Sequence, residues 1–289
     1  MTRTLEQVLA GIKGLEPLPV VATRVLALAG REDVVPSELS ALIRTDAALC
    51  TRVLKLCNSA YYGFRREIAS LEEAANCLGV QRLSSLVLTS CAARWFHDCG
   101  GLDGQAFELL WRRNVAHALG AQAVARASGW RGAQDRAYTA GLLQDLGEVV
   151  IRRSFRAEHA EIEAERARGC GALDAERLVL GADHAEIGAR LVERWGLPEV
   201  LVDTIRHHHA PARARCDPRL AACVRLGAEL ALACEDGGGA ALVPGTSASA
   251  NVVGASALAL VELDPGRLPA LVAALGRELE RAQQLVEIG

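Results

Sequence analysis

Asp145 lies in the run GLLQDLGEVV directly after Gln144, and five of the chain's seven histidines surround it: His117 before, then His184, His207, His208 and His209. Imidazole nitrogens and carboxylate oxygens are good donors for divalent transition metals, and a metal held this way lowers the pKa of bound water towards 7. Gln144 brings only a neutral amide oxygen, a poor replacement for imidazole. Each residue also has a plainer reading. His117 on a helix can be a hydrogen-bonded core residue, and Asp145 at a helix end can cap backbone N–H groups. His207, His208 and His209 can form a half-exposed helix end favoured by the dipole, or an adventitious Ni or Zn site.

The elements that must position these groups are helices. Pro36 opens one at a first-turn position, and Asp46 is a plausible N-cap for the next, whose Cys50, Val53, Leu54 and Cys57 form an i, i+3, i+4, i+7 stripe. Ser70 with Glu73 makes a capping box, and Gly79 is placed to stop that helix. Leu83, Leu86, Val87, Cys91 and Trp95 mark a longer amphipathic helix closed by Cys99-Gly100-Gly101. A long helix then carries His117 to Ser128-Gly129, and another ends near Asp145. A charged stretch from Glu158 to Arg168 reads as a solvated face. Asp183 with Glu186 caps a helix that Gly196-Leu197-Pro198 breaks, and Pro198 and Pro218 are expected inside the first turns of the following helices. With no sustained period-2 alternation, the fold class is all-α. The expected organisation is a helical subdomain over 1–102, a second bundle over 103–236, and a loop with a C-terminal helix over 237–289. In that helix Leu271, Leu275, Leu279 and Leu285 would pack on the body.

Composition excludes several function classes. Hydrophobic residues make up 51% of the 289 and charged residues 23%, enough for a real core, while aromatics at 4% leave that core to Leu, Val and Ala. The net charge of -3 with no block of Lys or Arg argues against nucleic-acid binding. Nine cysteines with no CxxC pair argue against a disulfide framework and for a reducing cytoplasm. The N-terminal stretch has no signal-peptide core. Residues 237–261 are uncharged, yet Gly237, Pro244, Ser247 and Asn251 interrupt them, so a loop running into a helix is expected and no membrane association.

Beyond these local signals, the chain resembles the HDOD family, the HD-related output domains of bacterial signalling proteins. The stretches that carry the resemblance are LEPLPVVATRVLALA (15–29), ALIRTDAALCTRVLKLCNSAYYG (41–63) and IASLEEAANCLGVQRLSSLVL (68–88), then WRRNVAHALGAQAVA (111–125), AYTAGLLQDLGEVVI (137–151) and DHAEIGARLVERWGLPEVLVDTIRHHHAP (183–211). Asn58-Ser59 and the step from Trp195 to Pro198 weigh most, as joints of the framework. The resemblance implies an HD-like helical bundle with an additional N-terminal helical subdomain.

It also implies a damaged metal site. His117 and Asp145 match ligand positions of the HD-superfamily phosphohydrolases, Gln144 stands where a histidine ligand would be, and Ala228 stands at the closing aspartate. His184, His208 and His209 match further family positions, and Glu148 replaces a lysine suited to holding phosphate. The expected function is therefore a non-catalytic signal-transduction output or adaptor module, with no catalytic residue, bound metal or cofactor. Its partners would be other signalling proteins. A cyclic dinucleotide or other nucleotide, drawn by Arg112 and Arg113, is the ligand class to test. The competing reading is a metal-dependent phosphohydrolase acting on a nucleotide or cyclic dinucleotide.

Overall fold

A computed structural model of the chain describes residues 5–12, 18–31, 33–98, 104–130, 132–235, 243–245 and 252–282. In chain order the helices are α1 (Leu5–Gly11), α2 (Val20–Ala29), α3 (Pro36–Ile43), α4 (Ala47–Cys57), α5 (Leu71–Asp98), α6 (Gly104–Ala127), α7 (Gln134–Leu143) and α8 (Leu146–Ser154). There follow α9 (Arg156–Ala167), α10 (Ala172–Leu180), α11 (His184–Arg194), α12 (Glu199–His207), α13 (Pro218–Glu235), α14 (Ala255–Val261) and α15 (Leu268–Arg281). The fold is all-α. The exception among the described residues is a parallel pair of three-residue strands, β1 (Val243–Gly245) and β2 (Val252–Gly254), which sequence patterning gave no hint of. No helix among the described residues is long and apolar enough to cross a membrane.

The end signals act much as their chemistry requires. Asp46 accepts from the Leu49 N–H at 2.9 Å, and Asp183 accepts from the Glu186 N–H at 2.9 Å. Ser70 Oγ accepts from the Glu73 N–H at 3.1 Å while the Glu73 carboxylate accepts from the Ala69 N–H, completing a cap in both directions. At Gly79, φ is 79°, so α5 is two helical rods meeting at a kink that a residue with a Cβ would resist. Two expectations need correction. In α4 the fully buried residues are Leu49, Val53, Leu56 and Cys57, with Cys50 and Leu54 half-buried, because the face turned to α5 is centred on the leucines. Pro198 is the N-cap of α12, its φ and ψ of -54° and 139° lying outside the helix, whereas Pro218 does open α13.

The body is organised around α6, which packs along α7 and α13. A Cβ on Gly120 would strike the Gly227 carbonyl, so α6 and α13 cross with their backbones in contact. The N-terminal helices join this body through aromatics. Phe96 lies 5.5 Å from Trp111 and Trp95 lies 5.2 Å from Trp195, both edge to face, a geometry worth about 0.5–1.5 kcal/mol per pair beyond burial. Asn58 closes the end of α4: its Nδ2 donates to the Leu54 and Ile68 carbonyls, and its Oδ1 accepts from the Ile68 N–H. Ser59 beside it is buried. In α15, Leu268, Val272 and Leu275 are buried, with Leu271 and Leu279 packed at the margin. The closing residues 99–101, the glycines 237–239 and Leu285 lie outside the described residues.

Candidate functional site

Asp145 occupies the corner between α7 and α8. It stands at the N-cap position of α8, yet its side chain makes no capping bond. It turns inward instead, 6% exposed, with Oδ2 2.9 Å from His117 Nδ1 and Oδ1 3.7 Å from both His184 Nε2 and His208 Nε2. Tight backbone packing sets this depth. A Cβ on Gly147 would collide with the His184 carbonyl, so only glycine lets α8 lie against the start of α11. Burial works against the charge on Asp145, but the His117 hydrogen bond and the nearby Arg113 and His184 outweigh it and hold the carboxyl well below its usual range.

One side of Asp145 is closed. Gln144, the buried C-cap of α7, places Nε2 against His117 Nδ1. That ring nitrogen faces a carboxylate acceptor and an amide donor together, and neither contact leaves it a lone pair for a metal. Ala228 supplies no donor, and Glu229 beside it accepts from Arg225 and from the Gly254 N–H. Arg113 pairs with Glu148, which also pairs with Arg152 at 2.7 Å. The negative charge of Glu148 is thus neutralised by two guanidinium groups. Arg112 is exposed on the surface of α6.

The other side is open. His184 begins α11, with Nδ1 2.8 Å from a Glu176 carboxylate oxygen that its own N–H also approaches from the backbone side. His208, 2% exposed, donates from Nδ1 to the Ile205 carbonyl at 2.7 Å, and its Nε2 points into the site without a partner. His209 Nε2 lies 2.8 Å from His184 Nε2, while its Nδ1 accepts from Arg225 at 3.2 Å. Ligand atoms of His184, His208 and His209 all lie within 4.8 Å of one another. His207 turns away to Asp203 at 2.9 Å, so the three adjacent histidines are not one half-exposed helix end: two face the site and one staples the surface. Reasoning from sequence missed Glu176 and Arg225. A glutamate in the buried register of α10, beside Ala175, was the available signal for the first.

These environments separate the titrations. Burial opposes charge on His184, but Glu176 and Asp145 prevail and raise it to about 9. Burial holds His208 down at about 4, and together with neighbouring imidazoles it keeps His209 well below the usual histidine value. With Arg225 donating to His209, the His209–His184–Glu176 chain accommodates two ring protons, so a third must displace the Arg225 contact.

On the open side the donors fit a divalent cation. There, three imidazoles and a carboxylate form a set typical of zinc and related metals, and the Glu176 carboxylate orients His184 as outer-shell carboxylates do for metal-bound histidines. Gln144 and Ala228 contribute neither an imidazole nor a carboxylate.

An HDOD domain sequence profile matches residues 15–211. A crystal structure of a candidate phosphohydrolase from Shewanella amazonensis SB2B is similar over 96% of this chain and 97% of its own, with 27% identity and a TM-score of 0.74. An HDOD domain protein from Geobacter sulfurreducens covers 99% and 97% with 24% identity and a TM-score of 0.79, a likeness of fold. A candidate signal transduction protein from Marinobacter aquaeolei VT8 covers all of this chain and 62% of its own, at 24% identity and a TM-score of 0.75. An uncharacterised protein from Treponema pallidum is 36% identical over 180 residues, 61% of this chain, which spans about a third (34%) of that relative's length. With the profile matching more than half its length, the chain belongs to the HDOD family.

Proposed function

We propose that this chain is a non-catalytic signalling module of HDOD type that acts by binding other signalling proteins in the cytoplasm. The observation that carries this reading is the Gln144 amide bonded to His117 beside Asp145, where a hydrolytic site would need a second ligand. Family membership and the likeness to the Marinobacter signal transduction protein support the signalling part. A nucleotide bound through Arg112 and Arg113 is disfavoured, since Arg112 stands on the surface and Arg113 is taken up by Glu148.

A second reading, a metal-dependent phosphohydrolase, is favoured by the open cluster of His184, His208 and His209 with Asp145. Protein purified without an affinity tag and supplied with Mn, Fe or Zn ions separates the two. Phosphomonoesters, phosphodiesters and cyclic dinucleotides are expected to turn over no faster than with the metal alone. Metal titration is expected to show at most one ion per chain, with affinity reduced about 10- to 100-fold by Glu176→Gln. Metal-dependent turnover that disappears in His184→Ala would establish the enzyme and remove the non-catalytic reading.

A further inference from the structure

Away from the histidines, a cavity of about 390 Å³ lies where the N-terminal helices, α6–α7 and α15 meet. Its size is at the small end of the range for ligand pockets, about 300–1,000 Å³. Four arginines line it, each from a position the fold leaves exposed: Arg82 on α5, Arg126 on α6, and Arg277 and Arg281 on α15. Two carboxylates answer them. Glu278 is engaged by the Tyr61 hydroxyl at 3.2 Å and Arg126 at 3.8 Å, and Asp135 accepts from Gln122 at 3.4 Å. Four positive groups against two negative ones leave the lining two charges positive, in a chain whose net charge is -3. Arg277 and Arg281 are i, i+4 neighbours, a like-charge spacing that destabilises a helix unless an anion offsets it. Paired guanidinium donors match phosphate oxygens well. Three tyrosines supply an aromatic part of the wall: Tyr61 and Tyr62 lie edge to face with centroids 5.0 Å apart, and Tyr138 lines the same space.

We propose that this cavity binds a nucleoside monophosphate, its phosphate among Arg82, Arg126, Arg277 and Arg281 and its ring against the tyrosines. A ligand there touches all three parts of the chain together and so fastens α15 to the body. The site is separate from the histidine pocket and does not depend on whether that pocket is catalytic.

Calorimetric titration of the full chain with AMP, GMP, CMP and UMP, with ribose 5-phosphate and inorganic phosphate as controls, tests it. At least one nucleotide is expected to bind saturably, at least 10-fold tighter than either control, and more weakly as salt rises. Arg277→Ala with Arg281→Ala, both at exposed positions, should weaken that binding 10-fold or more while circular dichroism stays unchanged. His208→Ala should leave it unaltered. The proposal is overturned by flat heats across the panel, by affinity for inorganic phosphate equal to that for nucleotides, or by binding that survives the double substitution.

Discussion

Asp145 has two unlike sides within a few ångströms. Towards His117 and Gln144 its neighbours bond one another, and the Nδ1 of His117 is fully engaged. Towards His184, His208 and His209 the ring nitrogens converge, and one of them, His208 Nε2, is bonded to nothing. The same backbone corner serves both. The difference teaches that one carboxylate can serve two unlike neighbourhoods: hydrogen bonds among His117, Gln144 and Asp145 fill one side, while the imidazoles of His184, His208 and His209 converge on the other.

Removing the shared carboxylate should have the largest effect. Asp145→Ala leaves Arg113 without one of its two carboxylates and His117 without its acceptor, and breaking such a buried arrangement typically costs about 3–5 kcal/mol. Urea unfolding is the measurement, and a loss below about 1 kcal/mol would mean that neither side depends on the charge.

The pH dependence sharpens the contrast from within the open side. His208 is held neutral down to about 4, so the unfolded chain takes up its proton first, and stability should fall as pH drops from the usual 6.5 towards 4. His184, raised to about 9, acts in the opposite sense: its contribution is complete below 6.5 and is lost as pH climbs through 9. Each limb should amount to roughly 1–3 kcal/mol, with the upper limb the smaller because the extra proton competes with Arg225. Unfolding midpoints measured from pH 4 to 9 should peak near 6.5–7. In His184→Gln the alkaline limb should flatten while the acid limb persists.

The smallest effect is expected on the closed side's outer edge. Arg112→Ala should change stability by no more than about 0.5 kcal/mol, as exposed substitutions do, while Arg113→Ala, which strips a half-buried partner from Glu148, should cost several times as much. Equal effects at the two positions would mean that Glu148 is neutralised by Arg152 alone.

Local chemistry explains what could be read in advance. Caps at Asp46, Ser70 and Asp183 depend on residues three positions apart, and the helical class on patterns within single segments, so both were visible in the chain. His117, Gln144, Asp145 and His184 were visible as well, through spacing and the family resemblance. Glu176 and Arg225 were not: their roles come from helices meeting in space, and on their own segments they look like ordinary charged residues. The resemblance marked His208 and His209 as well, but the burial of His208 could not be read from its own segment, for a related reason. A run of three histidines looks polar, and only the tertiary contact of α12 with its neighbours decides which ring enters the interior.

Helix α11 starts with His184 and ends against Trp195, whose indole sits edge-on to Trp95 of the N-terminal helices. Its 11 residues span about 16 Å as a stiff rod. A tilt at the imidazole end is therefore delivered to the indole end with little lost in between, and the fluorescence of that tryptophan pair becomes a built-in gauge of what happens beside Asp145.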